Sequence, residues 1–244
     1  MNRSDIRGIT GRAIGEIAVI IIGVLIAFQF ENWRGERELR EQEIAQLYAL
    51  HADFVENVNR LQGVIRRQEV VVSSQTRLLD VMHGHQDIPD EDILKKLVTD
   101  SFMFFRLEAV FGAYQALVSS GDLRLIRDRR LREALAEFAG TVGDGYEDEE
   151  LGLHTRVRLL SEMSASTEFL AVLDPSFRTT YATLPDSGYD PDFNELLNNR
   201  EYRNHLTLLT FIESGQLNFY RGLLSSAETI VNIVEQNLPG SHAE

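Results

Sequence analysis

The chain has no cysteine, only two lysines and five prolines among its 244 residues. Without cysteine there can be no disulfide, no thiolate nucleophile and no cysteine-ligated zinc or iron–sulfur centre. The absence of cysteine does not indicate the cellular compartment, because a cysteine-free chain is compatible with either side of a membrane. Basic charge consists of 22 arginines and the two lysines, which we interpret as genome composition and not as a mechanism.

Positive charge is scarce in the larger part of the chain. Residues 41–244 carry 18 basic and 33 acidic side chains. Phosphate backbones bind to clustered positive charge, which this part of the chain lacks. We therefore expect no nucleic acid among the partners.

Catalytic motifs are missing as well. The chain contains no phosphate loop, dinucleotide fingerprint or zinc-protease motif. Ser119 and Ser120 precede Gly121 in a helical pattern, whereas a nucleophile elbow needs a preceding strand. His83 and His85 could ligate a metal, but an exposed polar turn explains them better. We expect no enzyme, no cofactor and no metal site.

What the chain does have is one long apolar run, Ala13 to Phe30. In a helix, 18 residues extend about 27 Å, close to the hydrocarbon thickness of a bilayer. Arginines fringe both ends, and Trp33 and Arg34 are predicted anchors at the membrane interface. We predict one transmembrane helix over 13–30. A buried helix and a cleaved signal peptide are the alternatives, but the chain offers neither a large enough core nor a small-residue cleavage site.

Three residues of the predicted span are candidates for contact with another membrane helix. Glu16 lies about one turn inside the span, where a carboxylate is costly unless it reaches the headgroups or a partner protein. Reaching the headgroups is the commoner of the two roles. Gly23 and Ala27 are small, and small residues permit close approach of a second helix.

After the span, the pattern predicts an all-α protein, an elongated bundle of about four long helices. Apolar residues three and four apart begin at Leu47 and continue to Ile65, so the membrane helix should run on as a stalk into the bundle. The expected divisions are a basic tail over 1–12, the transmembrane helix over 13–30, a stalk over 31–46, the bundle over 47–238 and a tail over 239–244.

Further along the chain, four local features lead to predictions. The aromatic patch from Phe102 to Phe111 is predicted to lie in the core. A helix should end at Gly121. The next helix should start near Asp128 and run through Leu173, with a possible break at the glycines of 140–145. The last helix is predicted over 198–237.

The arginines around residue 127 form the densest basic cluster of the chain. Arg124, Arg127 and Arg130 alternate with Asp122 and Asp128. An ion-paired surface is the simpler interpretation, and a docking patch for an acidic partner is the alternative.

Two segments of the chain stand out: Gly15-Glu16-Ile17 with Ile22–Ala27, Asn32-Trp33 and Glu36-Arg37, and the block Tyr114–Ile126. They resemble the recurring segments of an uncharacterised family of bacterial single-span, membrane-anchored helical proteins. The resemblance covers about a quarter of the chain and implies an anchor followed by a helical domain, with no assigned reaction. Glu31 departs from the asparagine that is frequent in that family.

These features together predict a non-catalytic accessory subunit of a larger integral-membrane complex, with photosynthetic and respiratory assemblies as candidate hosts. Its partners would be the lipid bilayer and other integral membrane proteins. The alternative is a membrane-tethered sensor or ligand-binding protein. We expect a single-pass protein of the bacterial inner membrane, with a cytoplasmic N-terminus and a periplasmic domain. Three arginines flank the span on each side, so the arginine count does not favour either orientation.

Overall fold

The computed structural model describes residues 3–181 and 188–240, without the side chains of 3–21, 146–150, 178 and 181. Within these ranges the chain is helical and contains no strand, which confirms the all-α prediction. The helices are α1 (Arg3–Met82), α2 (Glu91–Ser101), α3 (Gly112–Ser120), α4 (Arg129–Ser166), α5 (Pro175–Tyr181), α6 (Phe193–Asn198) and α7 (Arg200–Asn237), with a 3-10 turn at Asp122–Leu125.

Three long helices, not about four, form the bundle within the described ranges. α1 has 80 residues, and α4 and α7 have 38 each. The glycines of 140–145 do not break α4, because tertiary contacts hold that stretch in a helix. A Cβ at Gly145 would overlap the Phe219 ring of α7, so glycine permits this close approach. α4 also ends earlier than predicted, at Ser166 instead of Leu173.

Two apolar clusters fill the bundle. The first combines α1, α3, the start of α4 and the end of α7 through Leu47, Leu50, Phe54, Leu61, Leu131, Leu135, Phe138, Tyr220, Leu223 and Ile230. The second combines the end of α1 with α2, α4, α6 and the start of α7 through Leu78, Leu94, Val98, Leu159, Met163, Leu196, Tyr202 and Leu206. The steps of three and four along each long helix place these side chains on one face.

An extended segment connects α2 to α3 along the side of α1. The side-chain amide of Asn57 accepts from the main-chain N–H of Val110 at 2.7 Å and donates to the Val110 carbonyl at 2.8 Å. Asp53 accepts a hydrogen bond from the main-chain N–H of Ala113, in the first turn of α3, at 2.7 Å. The aromatic patch on this segment is only partly core: Phe102 is buried, whereas Phe104 is 40% exposed. The prediction was wrong for Phe104 because alternate side chains of an extended chain point to opposite sides.

The end of α3 was predicted well. Gly121 has φ +75° in the left-handed region, and its amide donates to carbonyls of the last turn of α3. A side chain would be strained in this conformation. Just before α4 starts, the main-chain N–H of Arg127 donates to Glu43, which places the start of α4 beside α1.

Candidate functional site

Residues 22–39 of α1 are the least covered stretch of the described structure. Every residue from Ile22 to Leu39 is exposed. The large apolar side chains in this stretch are between 48% and 69% exposed, namely Ile22, Val24, Leu25, Ile26, Phe28, Phe30, Trp33 and Leu39. Exposed apolar surface on all faces of a helix is typical of a segment that another phase or another protein covers.

The described residues that were predicted as helix contacts or interface anchors in this segment are all exposed. Gly23 and Ala27 are exposed, and a Cβ at Gly23 would meet no atom of the described residues within 4 Å. The Trp33 ring is 56% exposed, with its centroid 5.9 Å from that of Phe30 and the Arg37 guanidinium 5.9 Å above it. Arg34 is exposed beside it. The side chain of Glu16 lies outside the described residues.

Among the described residues, no helix combines the length and the hydropathy that a membrane crossing needs. The side chains of residues 13–21, half of the predicted span, lie outside that part of the structure.

Arg40 marks the point where α1 enters the bundle. Its guanidinium donates to the main-chain carbonyl of Asn237 at 2.8 Å and pairs with Glu43 at 2.6 Å. Glu43 is 1% exposed and also accepts from the main-chain N–H of Arg127 at 2.7 Å. One buried carboxylate therefore joins α1 to the start of α4, while Arg40 holds the end of α7.

The predicted arginine patch lies at this same end. Arg124 is exposed in the 3-10 turn, and Arg127 Nε lies 3.3 Å from Glu43. Arg130 pairs with Asp128 at 2.9 Å, and this hydrogen bond holds the pKa of the Asp128 carboxyl well below its usual range. Two of the three arginines thus bind the chain's own carboxylates, which favours the ion-paired interpretation.

A buried polar cluster that the sequence analysis missed separates the two apolar clusters. Glu213 of α7 accepts hydrogen bonds from Gln68 of α1 and Arg156 of α4. The Arg156 and Glu213 side chains are each 6% exposed, and the Phe104 ring lies 4.8 Å from the guanidinium. Burial raises the pKa of Glu213 and lowers that of Arg156. Gln68 continues the apolar steps Leu61 and Ile65, and a polar residue at such a position was the available signal.

A cleft of about 510 Å³ lies between α1, α2 and the start of α5. Its wall includes the cations Arg67 and Lys96, the ring of Phe105, and the hydroxyl of Thr99. The Arg67 guanidinium lies 4.9 Å above the Phe105 ring. Asp100 and Asp174 also line the cleft, and Lys96 Nζ lies 3.1 Å from the Asp100 carboxylate, so the wall combines two cations with two carboxylates beside the Phe105 ring.

The histidine pair makes local contacts only. The rings of His83 and His85 stack with centroids 5.8 Å apart, and His83 Nδ1 lies 2.7 Å from the Leu79 carbonyl. No group of three metal-ligating side chains occurs within the described ranges.

The comparisons with known proteins identify a family and no assigned activity. Searches of curated proteins and of solved structures each returned no match to the chain. Residues 16–142, more than half of the chain, match the profile of a family of unknown function, DUF6090. This stretch runs from the first half of α1 to the middle of α4 and includes Arg40, Glu43 and Arg127. The chain belongs to the family of unknown function DUF6090.

Proposed function

We propose that this protein is a membrane-anchored, non-catalytic accessory subunit that docks on other integral membrane proteins. One observation carries the proposal: the large apolar side chains from Ile22 to Trp33 are exposed on every side of α1. The proposed anchor extends from Ala13 to Phe30, the apolar run of the sequence.

The cost of leaving this surface in water supports the proposal. Full exposure of one large apolar side chain costs about 1.5–3 kcal/mol relative to burial. Leu25, Ile26 and Phe28 are each at least 58% exposed and follow one another closely. A lipid phase would cover them without an additional protein core.

The continuity of α1 supports a mechanical role. The helix has no break between Ile22 and Met82. Arg40 binds the last residue of α7, and Glu43 binds Arg127 just before the start of α4. A rigid connection transmits the orientation of the anchor to the bundle. Contacts of the anchor and of the bundle with one large partner would therefore reinforce each other.

Insertion is tested by extraction of membranes with carbonate. The double variant Ile22→Arg/Leu25→Arg should be released, since each arginine near the middle of a span costs about 2.5–3.5 kcal/mol on insertion. Leu39→Arg is the matched control, because Leu39 is exposed on the same helix beyond the apolar run. Retention of the double variant in the carbonate-washed membrane would refute the anchor.

Docking is tested with glycine variants and native mass measurement in mild detergent. Gly23→Leu adds bulk at a position where the chain itself leaves room, so insertion should persist while a close helix–helix contact is lost. Gly35→Leu is the control, at a glycine with equal space beyond the apolar run. We expect wild type and Gly35→Leu to be recovered in a stoichiometric complex and Gly23→Leu largely outside it. Wild type recovered only by itself would refute the accessory role.

The proposed topology is a cytoplasmic N-terminus and a periplasmic bundle. Protease added to intact spheroplasts should then digest residues 41–244. Protection until the membrane is permeabilised would reverse the topology and leave the anchor in place.

A membrane-tethered ligand-binding protein is the second candidate, and the cleft beside Lys96 favours it. Glu16→Leu separates the two functions. An accessory subunit that uses Glu16 as an acceptor for a partner helix should lose part of its complex. A ligand-binding protein should keep its affinity.

A further inference from the structure

The outer face of α7 carries a stripe without charge. Starting at residue 204, positions that alternate by four and three residues are all exposed and all uncharged. We call them the α7 stripe: Asn204, Leu208, Phe211, Gly215, Asn218, Gly222, Ser225 and Thr229. The alternating steps of four and three residues repeat every seven residues over about 38 Å of helix, as in a coiled-coil seam.

The charged side chains of this part of α7 lie elsewhere on the helix. Glu213 is buried in the polar cluster. Arg221 pairs with Glu69 of α1 at 2.7 Å, and Glu228 lines a shallow cleft against α1. In a chain of which 25% is charged, the stripe is thus a separate surface that faces away from the bundle.

Among the described residues, no contact requires a glycine at either glycine position of the stripe. A Cβ at Gly215 or at Gly222 would meet no atom within 4 Å. Each glycine inside a helix costs about 1 kcal/mol relative to alanine. Beside them Phe211 is 79% exposed and Leu208 47%. Bulky apolar side chains next to bare backbone are suited to the close approach of another helix.

We propose that the α7 stripe is the contact surface of a parallel homodimer, with α7 of a second copy as its occupant. Copies with a net charge of −14 repel each other, so a stable contact between them needs a face without charge. In a twofold contact each residue meets its own copy. Asn204 and Asn218 suit this, since an amide both donates and accepts a hydrogen bond.

The parallel direction rests on the proposed anchor. Two copies in one bilayer have their α1 helices in the same direction, so their α7 helices must also be parallel. Confinement to the membrane raises the effective concentration of the second copy. A seam with only two large apolar side chains per copy can then be populated.

Cysteine cross-linking tests the dimer directly, because the wild-type chain has no cysteine. Leu208→Cys and Ser225→Cys lie about 25 Å apart along α7, and only a parallel seam brings both of them next to their own copies. Mild oxidation of native membranes should convert each variant to a product of twice 27.7 kDa. Ser73→Cys, exposed on α1, is the control and should stay monomeric.

A second variant tests the close approach at the glycines. Gly215→Leu in the Ser225→Cys background should abolish the cross-link, whereas Gly63→Leu, at an α1 glycine with equal space, should leave it unchanged. Circular dichroism of both variants checks that the helices persist.

Three results would overturn the dimer: no cross-link at either stripe cysteine, a cross-link at only one of them, or a product whose mass shows a different protein. Carbonate extraction of the same membranes keeps the two proposals apart. A resistant protein that does not cross-link refutes the dimer and leaves the anchor.

Discussion

Helix α1 passes through two environments with one uninterrupted backbone. From Ile22 to Leu39 every residue is exposed, whereas beyond Arg40 buried residues recur every three or four positions. Phe28 is 69% exposed in the first part, and Phe54 is 1% exposed in the second. An α-helix satisfies its own backbone hydrogen bonds in both places. The two parts therefore differ in what surrounds their side chains, and this difference separates the proposed anchor from the bundle.

The largest contrast should come from the two phenylalanines. Phe54→Ala removes a ring that packs edge to face on Phe138 at 5.1 Å and should lower the free energy of unfolding by about 3–5 kcal/mol. Phe28→Ala should leave it unchanged in detergent. Urea unfolding of the full chain, followed by circular dichroism, measures both. Equal effects would show that residues 22–39 have a packing partner within the chain.

The polar cluster of Gln68, Arg156 and Glu213 should be nearly as sensitive to substitution as Phe54. Glu213→Ala leaves Arg156 buried without its carboxylate and should cost about 3–5 kcal/mol. Replacing both charges, as in Arg156→Met/Glu213→Leu, should cost much less, because no unpaired charge remains. The same unfolding experiment separates these outcomes. A double variant as unstable as the single one would mean that the cluster contributes more than the pairing of its charges.

Substitution by alanine at two glycines of the long helices should change stability in opposite directions. Gly145→Ala forces a Cβ against the Phe219 ring and should cost about 1–3 kcal/mol. Gly35→Ala adds a Cβ in open space and should stabilise its turn by about 1 kcal/mol, seen as slower amide exchange there. If Gly145→Ala is neutral, the contact with Phe219 is not tight.

The smallest effect is expected at the junction of the two parts. Asp128 caps α4 and pairs with Arg130, which lowers its carboxyl pKa from 3.8. A lowered pKa contributes stability above pH 3.8, and this contribution is lost as the pH falls below that value. Asp128→Ala should cost about 1 kcal/mol at neutral pH. Asp128→Asn keeps a capping oxygen and should mainly flatten the acid side of the stability profile.

Features that depend on neighbouring residues were predicted correctly, and features that depend on distant residues were not. The steps from Leu47 to Ile65 predicted a buried face, and the cap at Gly121 was predicted because both depend on neighbouring residues alone. The glycines at 140–145 predict a break in α4 that the structure does not show, since helix propensity carries no information on the ring of Phe219. Gln68, Arg156 and Glu213 were missed because they come from three helices and meet only in the folded chain.

The sequence by itself determined the helical class, the apolar run over 13–30 and the amphipathic faces of the bundle helices, because hydrophobic periodicity depends only on residue order. The tertiary structure decided that three long helices share two apolar clusters with an ion pair between them. It also decided which face of α7 is left outside. These outcomes depend on how residues far apart in the chain pack together, and distances such as that between Gly145 and Phe219 exist only after folding.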